Sequence, residues 1–147
     1  MLSPGHTLGS ITVVVGDAAF VHDTFMQPDS GTARADFPGG SAEALFDSLT
    51  AILALPDDTR LFIGHDYGSA DRTEPAWEST VAQQRAANIH MGGGTTRKTF
   101  VERRTARDAT LKLPRRMLHA LQFNLRGGRL EDEGDGHAYF KLPANRF

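Results

Sequence analysis

Asp17-Ala18-Ala19-Phe20-Val21-His22-Asp23-Thr24 is the stretch from which the fold is read. An apolar run, Ile11-Thr12-Val13-Val14-Val15, leads into it, and Gly16-Asp17 breaks the run as a turn pair. Two β-rich runs around Gly-Asp predict a hairpin over residues 11–23. His22 and Asp23 then fall where the second strand ends. A carboxylate at a buried strand end is costly unless it is paired or bound to a cation. Asp23 is therefore a candidate metal ligand. Two further segments suit it: Ser3-Pro4-Gly5-His6-Thr7 upstream and Gly64-His65-Asp66-Tyr67 downstream.

The chain of 147 residues is long enough for a domain with its own core. Its net charge of −2 argues against a broad electrostatic nucleic-acid surface. The absence of cysteine excludes disulfides and thiolate metal sites. No apolar stretch approaches membrane-spanning length, and Met1-Leu2-Ser3-Pro4-Gly5 lacks the regions of a signal peptide. The expectation is a cytoplasmic protein with no nucleic-acid and no membrane partner.

Outward from the hairpin, residues 24–40 carry Pro28, Gly31, Pro38, Gly39 and Gly40 without periodicity. A loop of that length inside a compact domain usually has a function. Ser41 suits the cap of a helix to about Ala54, with Glu43 in its first turn and Leu45, Leu49, Ile52 and Leu53 on one face. Arg60-Leu61-Phe62-Ile63 reads as a short buried strand that delivers Gly64-His65-Asp66-Tyr67. Pro75 suits the first turn of a helix through about Asn88. A basic helix follows, about Arg97 to Leu111, and another from Pro114 to the Gly127-Gly128 stop. Glu131 to Gly136 is polar, and Tyr139-Phe140-Lys141-Leu142 suits an edge strand or loose packing. Trp77 and Phe100 are expected to pack the helical tail onto the sheet, and His90, His119 and His137 to be structural or exposed. Arg97, Lys98, Arg103, Arg104, Arg107, Arg115 and Arg116 form a basic region, but Glu102 and Asp108 interleave, which favours a solvated helix face over an anion surface.

Three groups sit on loops next to β-runs: His6, Asp23 and His65. Imidazole with carboxylate suits zinc, iron or manganese. Each has a plainer alternative. His6 alone reads as a surface histidine, Asp23-Thr24 as an Asx-turn, and His65 as a satisfied interior histidine.

The order of Pro4-Gly5-His6-Thr7, a hairpin ending in Asp23-Thr24, and Gly64-His65-Asp66-Tyr67 resembles the C-terminal half of the metallo-β-lactamase superfamily. It is most similar there to glyoxalase II and the persulfide dioxygenases. Gly31-Thr32-Ala33-Arg34-Ala35-Asp36-Phe37 with Gly39-Gly40 resembles the dioxygenase loop, especially that of the bacterial β-lactamase-hydrolase-like branch. The resemblance implies an α/β fold: half of an αββα sandwich over 1–90, with a helical extension over 91–147 packed on it. It implies His6, Asp23 and His65 as metal ligands. In the dinuclear hydrolases Asp23 bridges two metals and His65 binds the second. In the dioxygenases one Fe(II) is held by two histidines and an aspartate, and the equivalent of His65 does not bind it. Zn is the alternative metal. Arg34 and Tyr67 match positions near a glutathione-derived substrate, where Arg34 offers a planar fork to a carboxylate and Tyr67 a phenol.

Two departures qualify the resemblance. The family's His-x-His-x-Asp-His motif is absent, and with it one iron ligand and the remaining first-site zinc ligands. The expectation is an N-terminally truncated chain, inactive alone, with Val13, Val15, Phe20 or Phe62 in an exposed apolar patch that favours a homo-oligomer. No further catalytic side chain is assigned. Also, His22 stands where the family usually has Gly. It could crowd the metal, replace the missing imidazole if the strand bulges, or point away from Asp23, and alternation along a strand favours the last. The rival readings are a glyoxalase II-like thioester hydrolase and a non-catalytic remnant or subunit that needs a partner chain.

Overall fold

The computed structural model describes residues 1–130 and 134–141. Its centre is a mixed four-stranded sheet in the order β1-β2-β3-β4. β1 (Val13–Val15) and β2 (Ala18–His22) form the hairpin, with Val15 opposite Ala18. Gly16 makes the tight reversal at φ +59°, a conformation that glycine adopts without steric cost. β3 (Arg60–Ile63) lies parallel to β2, and β4 (Glu78–Thr80) returns antiparallel to β3.

A parallel pair needs a crossover. It is made by residues 24–41 and α1 (Ala42–Leu53). The Ser41 hydroxyl accepts the Ala44 amide at the helix start, as its sequence position predicts. Leu45, Leu49 and Ile52 on one stripe of α1 meet Ala19, Val21 and Leu61 from the sheet. Val81 of α2 (Val81–Ala87) and Phe100 of α3 (Arg97–Asp108) complete this core. The opposite sheet face is open: Phe20 and Phe62 stack on it at 5.2 Å, and Val13 and Val15 of β1, on the same face as Phe20, are exposed.

The described residues form two compact units, Met1–Thr110 and Leu111 onward. The boundary expected near residue 90 falls inside the first unit, because Phe100 is fully buried in its core. The second unit contains α4 (Met117–Leu125), which buries no residue and is closed by Gly127 and Gly128 at positive φ. Parts of two sequence expectations, Glu131 to Glu133 and Leu142, lie outside the described residues.

Three expectations need correction. Pro75 does not open a helix. The Ala76 amide goes to the Asp66 carboxylate and residues 78–80 pair with β3, so α2 starts only at Val81. The start signal is the Thr80/Gln83 capping box. Trp77 is 66% exposed and packs nothing onto the sheet. The basic helix ends at Asp108 rather than Leu111. Among the described residues no helix is long and apolar enough to cross a membrane.

Candidate metal centre

Strand direction brings the three candidate donors together. β2 and β3 run parallel, so Asp23 after β2 and His65 after β3 leave the sheet at the same end. β1 runs antiparallel to β2, so the segment entering β1 starts from that end too. His6 Nε2 stands 3.5 Å from Asp23 Oδ2, and His65 Nδ1 stands 3.1 Å from Asp23 Oδ1. Each carboxylate oxygen therefore has its own imidazole.

The His6 loop is firmly held. Ser3 bonds Ser10 through its amide and Thr12 through its side chain. Ser48 of α1 donates to the Pro4 carbonyl, and the Ser41 amide donates to the Gly5 carbonyl. His6 is thus anchored both by the segment leading into β1 and by α1 with its cap Ser41. Asp23 is aimed by a bulge. Phe20 pairs with Phe62, yet His22 pairs with Ile63, which leaves Val21 as the extra residue. His22 absorbs the distortion at φ +49°, a left-handed conformation in which histidine is among the tolerated residues. Glycine would sit there without strain. The His22 imidazole is exposed and forms no ion pair with Asp23.

His6 Nδ1 is 2.8 Å from the Arg34 carbonyl oxygen. That oxygen only accepts, so Nδ1 carries the proton. In the neutral ring Nε2 is then a bare lone pair facing the Asp23 carboxylate. Two acceptors in contact call for a proton or a cation between them. The donor chemistry on this side therefore fits a divalent metal. Yet among the described residues no three His, Asp or Glu side chains are grouped so as to hold a metal by themselves.

Arg34 is engaged. Its Nε and Nη2 donate to the two Asp36 oxygens, each at 2.6 Å, and its guanidinium lies 4.7 Å from the Phe37 ring centroid. This pairing holds Asp36 below the usual carboxylate range and raises Arg34 further. His6 packs edge-on against the same Phe37 at 5.2 Å. Tyr67 is 82% exposed and meets the His65 ring edge-on at 4.6 Å. The loop carrying His65 and Tyr67 is tied by Asp66, which accepts from Arg72, Gly68 N and Ala76 N. Arg72 also grips Asp29, and its guanidinium holds Asp66 far below the usual carboxylate range.

Sequence reading missed the residues that hold the loop over 24–40. Gln84 donates to the Met26 carbonyl and Asn88 to the Gly31 carbonyl. His90 Nδ1 accepts the Thr32 amide, and Asp108 accepts the Ala35 amide. Burial and the flanking Arg104 and Arg103 push His90 down to about 4. The available signal was a pair of polar residues at i, i+4: Gln84 of α2 with its C-cap Asn88, and Arg104 with Asp108 on α3.

No protein-family model matches the chain. A β-lactamase hydrolase-like protein of Xylella fastidiosa (strain Temecula1) is 60% identical over 146 residues, covering 99% of this chain and 33% of that protein. Glyoxylase B2 of Dictyostelium discoideum is 42% identical over 145 residues, covering 97% of this chain and 49% of that protein. The crystal structure of ETHE1 from Myxococcus xanthus matches with a TM-score of 0.73 at 30% identity, over 86% of this chain and 52% of that one. The chain thus spans from a third to half of the length of these relatives.

Proposed function

With this chain carrying the C-terminal portion of the metallo-β-lactamase fold, we propose that it is the metal- and substrate-binding part of a non-haem iron persulfide dioxygenase. Such an enzyme converts glutathione persulfide, dioxygen and water to sulfite and glutathione. The observation that carries the metal reading is the His6 imidazole, protonated at Nδ1 by its bond to Arg34 and left with a lone pair toward Asp23. The similarity to ETHE1 and to the β-lactamase hydrolase-like proteins supports the choice of branch.

In this reading His6 and Asp23 are two of three iron ligands, and the third comes from a segment outside these residues. Fe(II) with a facial two-histidine, one-carboxylate set supplies oxygen chemistry and keeps open positions. His65 steadies the second Asp23 oxygen rather than binding iron. Arg34 and Tyr67 flank the centre, where a glutathione-derived substrate with two carboxylates would meet them. For Arg34 to do so, Asp36 has to share its guanidinium.

The second reading is a dinuclear thioester hydrolase of the glyoxalase II type. It is favoured by His65, since an imidazole at each Asp23 oxygen suits a bridging carboxylate. A metal-bound water of lowered pKa would then be the nucleophile. The experiment loads the chain separately with Fe(II) and Zn(II), alone and with its completing segment supplied. It measures bound metal, oxygen uptake with glutathione persulfide, and hydrolysis of a glutathione thioester. Iron with oxygen uptake supports the dioxygenase, and two zinc ions with thioester cleavage support the hydrolase. An inert, metal-free protein in both forms leaves a non-catalytic remnant. The chain alone is expected to bind metal weakly and to turn over neither substrate.

A further inference from the structure

Asp108 and His6 grip opposite ends of one peptide group. Asp108 Oδ2 accepts the Ala35 amide at 2.8 Å, and the Arg34 carbonyl of the same peptide accepts His6 Nδ1–H at 2.8 Å. The peptide is planar and trans, as are all peptide bonds in the described structure. Its N–H and C=O therefore point in opposite directions, and a pull on one end orients the other. A carboxylate on the N–H also polarises the C=O and makes it a better acceptor.

Asp108 lies in the last turn of α3, 6% exposed, with Arg104 Nη2 at 2.6 Å and 5% exposed. Arg104 Nη1 reaches the Thr32 carbonyl at 3.3 Å. A buried ion pair is weak evidence of stabilisation, because desolvation offsets most of the attraction. This one nevertheless sits on the core side of α3, next to Phe100 in helical spacing, where an apolar residue would fit. Its two reaches, to Thr32 and Ala35, both go to the backbone of the loop beside the candidate metal centre.

We propose that Asp108, held by Arg104, is a positioning residue for His6. By fixing the Arg34–Ala35 peptide it keeps the His6 proton on Nδ1 and the lone pair of Nε2 directed at the metal side of Asp23. The relay runs from α3 through one peptide group to the imidazole. It rests on the metal reading of His6 for its purpose, but not for its geometry.

The test uses the 147-residue chain labelled with ¹⁵N, and reads histidine tautomers from two-bond nitrogen–proton correlations without metal. His6 is expected as the Nδ1–H tautomer. Asp108→Ala is expected to move His6 toward the Nε2–H form that free histidine prefers, and to leave His65 unchanged. Asp108→Asn keeps an oxygen to accept the Ala35 amide and is expected to restore the native tautomer. Zn(II) affinity, measured by competition, should fall about 10–100-fold in Asp108→Ala and much less in Asp108→Asn. A folded Asp108→Ala chain with an unchanged His6 tautomer overturns the proposal, and so does an Asn variant that behaves like Ala. Should Asp108→Ala fail to fold, Arg104→Lys replaces it. That variant keeps a cation but loses the fork, and an unshifted His6 tautomer in it overturns the proposal equally. A native chain that shows the Nδ1–H tautomer but no Zn(II) binding counts against the metal reading and leaves the relay standing.

Discussion

Gly5 passes so close to Leu45 that a β-carbon built on Gly5 would stand 2.3 Å from the Leu45 Cα. Gly5 also holds φ at +136°, where side chains are strained. The residue before His6 is thus wedged against the α1 backbone, which cannot move aside. Gly5→Ala should combine overpacking, about 1–3 kcal/mol, with backbone strain, about 1–3 kcal/mol. Urea denaturation should show a loss of about 2 kcal/mol or more. A midpoint equal to that of the native chain would contradict this contact.

Arg34 contributes by two separate routes. Its carbonyl holds His6, while its guanidinium is paired with Asp36. Replacement by Ala removes only the second. With the completing segment present, Arg34→Ala is expected to raise KM for a glutathione-derived substrate more than it lowers kcat, as loss of uniform binding does. Metal content should stay at the native level. An unchanged KM would remove Arg34 from the substrate's surroundings.

His90 predicts an acid-sensitive window. Its folded value lies near 4, below the ordinary 6.5. Between those values the unfolded chain binds more protons than the folded one, so stability falls as pH drops from about 6.5 to about 4. The full shift would be worth roughly 3 kcal/mol. Solvent screening of a ring that is only partly buried reduces this to about 1–2 kcal/mol. His90→Gln should flatten the urea-midpoint profile in that window. A native slope retained in the variant would assign the effect to other groups.

The Arg72 guanidinium joins Asp66 to Asp29 and so closes the loop that bears His65. Arg72→Ala leaves the nearly buried Asp66 with only its amide donors. The expected result is faster hydrogen exchange at Gly68 and Ala76, with the Ala35 and Thr32 amides as protected as before. Equal protection at Gly68 in both proteins would show that the loop closes without Arg72.

The open sheet face should make the chain self-associate. Val15 is 62% exposed on an edge strand, and Phe20 is 43% exposed beside Phe62. Exposed apolar edges template pairing, and a charge placed on them blocks it. Sedimentation should find concentration-dependent association that Val15→Lys weakens. A native chain that stays monomeric at high concentration would show the face to be adequately solvated.

Local signals made most of the framework legible. The Gly16-Asp17 reversal, the Ser41 cap and the apolar face of α1 each depend on residues a few positions apart. Pro75 misled because proline suits an extended segment as well as a first helical turn, and Asp66, which takes the Ala76 amide from ten residues away, decides between them. The closeness of His6, Asp23 and His65 follows from strand direction and motif order. Their tuning was hidden. The bulge at Val21, the left-handed His22 and the anchors Gln84, Asn88, His90 and Asp108 depend on pairings across the fold, of which the local sequence records only two polar pairs at i, i+4.

Those anchors share one property with a practical result. Gln84, Asn88, His90 and Asp108 all reach main-chain atoms of the loop, at Met26, Gly31, Thr32 and Ala35. The loop's course is therefore largely independent of which side chains it displays. The largely covered Arg34, the exposed Asp36 and the half-buried Phe37 are open to replacement without redirecting the backbone that carries them. A combinatorial library confined to those three positions would vary what the surface recognises while the scaffold beneath it stays in register.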